Sequence, residues 1–423
     1  MKIAFHTLGC KVNQYETEAM KEQFTKRGHQ LVGEDEFSDV YIINTCTVTG
    51  LADRKSRQYI RRMKKLNPDS IVAVTGCYVQ VNPEEVASIQ GVNLIAGTNE
   101  KHKLIEYIEH YHGDALCTHL NAYEELTTYE ETGIITSMES RTRAYVKIQE
   151  GCDRFCAYCI IPYARGPVRS REKEEILKEV EALLEKGFKE IILTGINTAL
   201  YPDLLGLLSA IEQLSGEFRI RLSSLEPTVV NKDYVKKLFA FPRLCHHLHL
   251  SLQSGSDRIL EKMKRRYDRE AYMEIVETLR AFDPHYGITT DIIVGFPGET
   301  EGDFEDSLDI VRRAEFCKVH GFKYSKRSGT PAADFPDQIN GGIKKERNTR
   351  LMEEGEGVGK RFFEKNLGTV REILVEEQVG DYLVGYTDNY IKAYLQGDAR
   401  LKGRIISVKL VKLMDDGVYV TKI

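Results

Sequence analysis

Three cysteines fall between Cys152 and Cys159 of "GCDRFCAYC", spaced Cys-x3-Cys-x2-Cys, with no fourth cysteine nearby. Three soft thiolates gathered in this way describe a metal centre with one ligand position left open. A tetrahedral zinc site would need a histidine or a fourth thiolate, and the nearest histidines on either side are the distant His119 and His246. A 4Fe-4S cube has four irons, each wanting one outer ligand, so three thiolates leave one iron open to an exogenous molecule. The spacing therefore points to a catalytic iron-sulfur cluster.

A second set is dispersed. Cys10, Cys46 and Cys77 close the apolar runs "KIAFHTLGC", "DVYIINTCTV" and "SIVAVTGCYV". Each run reads as a buried parallel strand, separated from the next by a helical pattern. In an open parallel sheet the carboxyl ends of the strands share one edge, where ligands bind. The three thiols are thus expected to meet as a second metal site, although single buried cysteines often behave as small hydrophobes. Cys117, Cys245 and Cys317 carry no motif and are expected to be structural. Nine cysteines, an odd number without a paired framework, exclude a disulfide scaffold and fit a reducing cytoplasm.

Other elements must position these groups. A length of 423 residues allows about three domains at roughly 150 residues each, and 42% hydrophobic with 29% charged residues describes a soluble globular chain. The start "MKIAFHTLGC" superficially matches a lipoprotein leader, but its apolar run is broken by His6 and is too short for one. No uncharged run approaches the roughly 20 apolar residues of a membrane span. The fold expected is α/β: an open parallel sheet over 1–120, an acidic linker at 121–140 and a parallel six-stranded partial barrel over 141–330. A helical extension at 331–364 and a small antiparallel barrel over 365–423 follow. Catalytic groups of such a parallel barrel belong at the carboxyl ends of its strands.

With these residues in place, the chain resembles the radical S-adenosylmethionine methylthiotransferases over essentially its whole length. The resemblance is carried by "GCDRFCAYC" together with "LGCKVNQYE", "NTCTVT", "GCYVQ", "IPYARGPVRSR", "LTGIN", "LSSLEP", "LSLQSGSDRILEKMKR" and "DIIVGFPGET". It implies a radical partial (β/α)6 barrel, a C-terminal TRAM domain and two 4Fe-4S clusters. Cys152, Cys156 and Cys159 would hold the radical cluster, whose open iron binds S-adenosylmethionine, and Cys10, Cys46 and Cys77 the auxiliary one. Gly195 and Asn197 would meet the methionine part of that cofactor. Ser224, Glu226, Gln253 and Ser254 would meet its ribose and polar groups, and the Tyr158 backbone its adenine. A 5′-deoxyadenosyl radical would abstract a hydrogen from an unactivated carbon, with sulfur delivered through the auxiliary cluster and the methyl from a second S-adenosylmethionine. One departure is the loop after "LTG", where "INTALYPDLLGLL" enters a helix almost at once.

The resemblance further implies a cytoplasmic, monomeric enzyme served by an electron donor that the sequence does not identify, with a tRNA anticodon stem-loop as partner. "GCKVNQYE" is similar to the branch acting on N(6)-threonylcarbamoyladenosine. The alternatives are isopentenyladenosine tRNA, a ribosomal-protein aspartate, or a non-enzymatic RNA-binding iron-sulfur sensor. Threonylcarbamoyl carries a carboxylate, so Lys11 or an arginine of "YARGPVRSR" is expected to meet it. Arg54, Arg57, Arg61 and Lys65 recur at helical spacing and could track phosphates, although a solvated basic face looks the same. Tyr386, Tyr390 and Tyr394 could stack on bases or fill the small barrel's core. "HHLHL" at 246–250 lies in a strand pattern and is expected in the core or rim.

Overall fold

The computed structural model describes residues 1–113, 115–136 and 142–423. The first sheet has six parallel strands in the spatial order Gln30–Val32, Lys2–Thr7, Val40–Thr45, Ile71–Gly76, Leu94–Ala96, Cys117–His119. The three apolar runs that end in cysteine are the central neighbours of this sheet, buried on both faces by helices, as near-continuous hydrophobic strands require. The strand order reverses between Lys2–Thr7 and Val40–Thr45. A crevice opens at such a switch point, beyond the carboxyl ends.

The next six parallel strands are Arg143–Glu150, Glu190–Gly195, Arg219–Leu222, His247–His249, Gly287–Val294 and Lys318–Lys323, in sequence order around a partial barrel. Single bridges, Ile220 to Leu244 and Leu225 to Leu250, join its two halves. The expected crossover helices are present at Lys173–Glu185 and Glu301–Ala314, the latter capped by Thr300 and Asp303. The long helix Gly341–Asn366 then leads into a closed barrel of five strands. One of its pairs, Lys392–Leu395 with Gly417–Lys422, is parallel, and the others are antiparallel.

The acidic segment expected as a linker at 121–140 includes residues 137–140, which lie outside the described residues. Its described part is a packed strap: Leu126 and Ile135 are fully buried, Glu131 pairs with Arg171 at 2.9 Å, and Glu130 accepts from Asn99 at 2.7 Å. Its glutamates find basic and amide partners on both neighbouring units, which local composition does not reveal. Among the described residues no helix is long and apolar enough to cross a membrane.

The small barrel is docked at the amino-terminal ends of the partial-barrel strands through buried charges. Glu190 lies between Arg219, at 2.6 Å, and Arg221, at 2.8 Å. The same guanidinium groups donate to the carbonyls of Glu372, Tyr386, Thr387 and Asp388. Tyr390, in left-handed backbone at φ 71°, enters the partial barrel and stacks on His247 at 4.3 Å. Tyr386 lies against Tyr390 and beneath Arg143. Both tyrosines therefore serve this contact and are not free to stack on bases, because the partial barrel's floor claims them.

Burial pushes the Glu190 carboxyl up, but Arg221 and Arg219 outweigh it and hold the group well below the usual carboxylate range. Its stabilisation is therefore present above the unfolded-chain value near ~4.3 and fades as pH falls below it. Glu190→Ala leaves two buried cations uncompensated and is expected to cost about 3–5 kcal/mol in urea unfolding; a loss under about 1 kcal/mol would show that water reaches this contact.

Candidate active site

The first partial-barrel strand delivers the chain to Gly151, at φ 73°. A Cβ there would stand 1.8 Å from the Pro167 carbonyl oxygen, so only glycine permits the turn into the cysteine loop. The loop is tied by Cys152 N to Gly166 O, Cys159 N to Cys156 O and Ala157 N to Met263 O, all within 3.1 Å. Phe155 and Gln253 are non-glycine residues with positive φ that flank the site, a backbone cost tolerated where geometry is over-determined.

Cys152, Cys156 and Cys159 open onto a cavity of about 600 Å³, together with Tyr158, Gly195, Asn197, Ser224, Glu226 and Gln253. Ser254 is the exception: it is fully buried, and its hydroxyl accepts from Ser256 N. The reversed φ of Gln253 turns that residue to the cavity and its successor into the core. Burial pushes the Cys159 thiol up to about 12 and Cys152 to about 11, and the adjacent Cys156 adds to both. A metal must therefore displace protons to bind here. Arg265 donates to the Cys156 sulfur at 3.4 Å.

Across the cavity Glu226 accepts from Arg154 at 2.7 Å and Asn197 at 2.8 Å. Burial raises its pKa, but Arg265 and Arg154 outweigh burial and keep it ionised. The Asn197 Oδ1 is a buried acceptor without a hydrogen-bond partner among the described residues. An ionised carboxylate beside an unfilled acceptor suits a ligand carrying an ammonium and hydroxyl groups. The short loop after Asn197 is a single 3-10 turn, Thr198–Leu200, ahead of the helix Leu204–Glu212.

The other triplet approaches from the first sheet. Cys10 caps the helix Lys11–Lys26, Cys46 follows Val40–Thr45, and Cys77 opens the helix Cys77–Val81. Cys10 lines the same cavity, and Cys46 and Cys77 are buried behind it. Gly9, at φ 102°, makes room: a Cβ there would lie 2.9 Å from the Cys46 sulfur. Burial pushes Cys46 up to about 12, with contributions from Cys77 and Cys10, as thiols sharing one site impose on each other. Tetrahedral zinc with ~2.3 Å bonds would draw sulfurs to within about 4 Å. Neither triplet has all its sulfurs within 4.8 Å of one another, so neither is gathered as tightly as a single tetrahedral ion would require.

Behind Cys77 lies a buried ionic knot. Arg165 donates to the Cys77 sulfur at 3.1 Å, to Glu16 at 2.6 Å and to Glu150 at 3.1 Å, and it also bonds Asn13. Lys147 bridges Glu16 and Glu150, and Lys101 pairs with Glu16. Three cations face two carboxylates, so the surplus positive charge stands against the Cys77 sulfur, where it would favour a thiolate. Arg169 and Arg171 are also engaged, with Leu126 O and with Glu131 and Glu179. No arginine of "YARGPVRSR" is thus available to a substrate, whereas Lys11 lines the cavity. Enclosure by protein, then Arg143 and Arg221, lower its pKa.

Sequence reasoning missed Arg154, Arg265, Arg221, Asp291, His320 and the intrusion of Tyr390, all of which line the cavity. The "HHLHL" segment divides: His246 pairs with Asp283 at the rim, while His247, packed on Tyr390, and His249 both line the cavity. Its strand alternation carried that much of the signal.

Residues 146–311 match the model of the radical SAM superfamily, and residues 2–97 that of the uncharacterized protein family UPF0004. The chain is 40% identical to the threonylcarbamoyladenosine tRNA methylthiotransferase MtaB of Bacillus subtilis, covering 97% of this chain and 94% of that protein. It is 39% identical to the MtaB of Aquifex aeolicus, with 96% and 100% covered. It is 36% identical to a tRNA-2-methylthio-N(6)-dimethylallyladenosine synthase of Carboxydothermus hydrogenoformans, with 96% of each covered. Among solved structures, the radical S-adenosylmethionine methyltransferase TsrM of Kitasatospora setae shares the fold at TM-score 0.59 and 14% identity, over 78% of this chain and 77% of that one.

Glu226→Ala removes the partner of Arg154 and Asn197. It is expected to weaken S-adenosylmethionine binding by roughly 10- to 100-fold in equilibrium dialysis, the cost of a lost charged hydrogen bond. Unchanged binding would place the cofactor elsewhere.

Proposed function

Because the chain belongs to the radical S-adenosylmethionine methylthiotransferases, we propose that it methylthiolates carbon 2 of N(6)-threonylcarbamoyladenosine beside the anticodon of tRNA. Lys11 is the observation that carries this substrate. It follows Cys10 directly, lines the cavity and makes no ion pair among the described residues. A cation so placed matches a modification bearing a carboxylate, a charge pairing that an apolar isopentenyl group cannot make. The similarity to relatives named for threonylcarbamoyladenosine supports the same choice.

In this reading Cys152, Cys156 and Cys159 hold a radical 4Fe-4S cluster and Cys10, Cys46 and Cys77 an auxiliary one, both facing the shared cavity. The bound cluster with S-adenosylmethionine supplies one-electron chemistry that removes a hydrogen no side-chain base could take as a proton. The chain's own residues bind, orient and exclude water. Asn197 and Glu226 would receive the cofactor's ammonium and hydroxyls, and Arg265 and Arg165, which donate to the sulfurs of Cys156 and Cys77, would tune the potentials of clusters held there. The units are 1–120, the connecting segment 121–140, the radical barrel at 141–330, the helical extension at 331–364 and a TRAM barrel at 365–423. We place the enzyme in the cytoplasm.

For the RNA, the helix Gly50–Leu66 supplies exposed Arg54, Lys55, Arg61 and Lys65. Arg57, expected among the phosphate contacts, is instead bonded to Glu85 and to the Tyr78 hydroxyl, each at 2.8 Å. The start of this helix abuts the chain after the sixth strand: Gly50 N donates to Ser325, and Arg327 bonds Asp53 and Thr47. Exposed Phe322, Lys323 and Lys326 adjoin it there, and Val48 and Phe322 line the cavity, so a basic face runs up to its mouth.

Alanine at Cys152, Cys156 and Cys159 is expected to remove about four of eight irons and to abolish 5′-deoxyadenosine formation. Alanine at Cys10, Cys46 and Cys77 should remove the other half and stop methylthiolation; full iron content in that variant would refute the second cluster. Glutamate at Arg54, Arg61 and Lys65 should weaken tRNA binding and flatten its salt dependence by about 0.7–0.9 for each phosphate no longer neutralised. For the substrate, purified enzyme is offered tRNA bearing either modification. Product on the isopentenyl form alone would overturn the assignment and leave the radical chemistry in place.

A further inference from the structure

Opposite the cysteines, three side chains from three successive partial-barrel strands converge in the cavity: His249, Asp291 and His320, whose nearest polar atoms all lie within 4.8 Å of one another. His249 is held on both ring nitrogens, Nδ1 to the Thr289 hydroxyl at 2.9 Å and Nε2 to Asp291 Oδ2 at 3.1 Å. A carboxylate oxygen at Nε2 and a hydroxyl at Nδ1 hold the ring from both sides. That arrangement fixes Asp291 and leaves its second oxygen capacity for another donor. His320 lies with its ring 6.0 Å from that of His249. Desolvation lowers its pKa, a shift that Asp291 opposes and His249 reinforces, which favours the neutral imidazole with one N–H to offer. Lys11, at the start of the helix Lys11–Lys26, lines the same cavity from the first unit.

We propose that this corner is the subsite for the amino-acid part of the modified adenosine: Lys11 and His320 take its carboxylate, and Asp291, oriented by His249, accepts a hydrogen bond from its hydroxyl. The proposal rests on the threonylcarbamoyl reading above and goes beyond it by naming the groups that recognise each end of the side chain. Charge favours this division. A carboxylate seeks the cation and the neutral donor, Asp291 repels it, and the hydroxyl is the donor that Asp291 lacks.

The test uses the reconstituted holoenzyme and three tRNAs, bearing threonylcarbamoyl, glycylcarbamoyl or isopentenyl adenosine. The glycyl form keeps the carboxylate and lacks the hydroxyl. Wild type should prefer threonyl over glycyl by roughly 10-fold or more in kcat/KM, and Asp291→Asn should largely erase that preference. His320→Ala should raise KM for both carboxylate-bearing forms about 10-fold, with His320→Gln, which retains a donor, partly restoring it. Melting temperature and iron content verify that each variant folds and loads; if His320→Ala fails there, His320→Gln carries the comparison, with a smaller rise in KM expected. The proposal is overturned if wild type uses the threonyl form while every variant keeps its KM and preference, or if all three tRNAs suffer equally. Loss of a stoichiometric metal other than cluster iron from the His320 variants would also overturn it, by assigning these groups to an ion. Failure of wild type on both carboxylate-bearing forms refutes the substrate reading itself, and the subsite with it.

Discussion

The guanidinium of Arg165, wholly removed from solvent, is the constraint on which the arrangement of the two cysteine triplets depends. It joins Glu16 from the first helix, Glu150 from the first partial-barrel strand and the sulfur of Cys77. Burying three cations with two carboxylates is costly unless every charge is compensated. The geometry is therefore narrow: the parallel sheet can sit against the barrel only where Glu16, Glu150 and the sulfur all reach one fork. Tyr15, bonded to Glu179 at 3.0 Å, fixes the same helix one residue earlier. With the helix fixed, Cys10 at its tip faces the cavity that Cys152, Cys156 and Cys159 enter from the other side.

That placement matters because reactive one-electron chemistry must be kept from water. The partial barrel is open by construction, with single bridges joining its halves. Its side is covered by the first helix and the acidic strap, and its floor by the small C-terminal barrel. The floor contact is polar, with Arg219 and Arg221 satisfying carbonyls at the end of a strand and in the turn that follows it. This satisfies backbone acceptors that would otherwise be buried unpaired.

Much of this was legible in the sequence for a simple reason. Buried parallel strands are continuous apolar runs, and the chemistry-bearing residues follow directly after them, so Cys10, Cys46 and Cys77 could be located by local pattern, while Gly195, Asn197 and Glu226 came from the motif resemblance. Their partners could not. Arg165 looked like a candidate for substrate because nothing local reveals Glu16, 149 positions away in the chain. Tyr390 looked like a base-stacking residue because its neighbour in space, His247, belongs to another unit. Ser254 was misplaced by one backbone torsion, since a reversed φ at Gln253 exchanges inward and outward faces.

The intrusion of Tyr390 gives the C-terminal barrel a second meaning. An appendage joined only by a tether could be exchanged or deleted without disturbing the site. Here the appendage is also the plug of the reaction chamber, and Gly287 lies so close beneath it that a Cβ would meet the Asn389 carbonyl oxygen at 2.1 Å. Truncating this barrel would open the cavity to solvent from below, so the docking of the C-terminal barrel and the enclosure of the cavity are inherited as one trait.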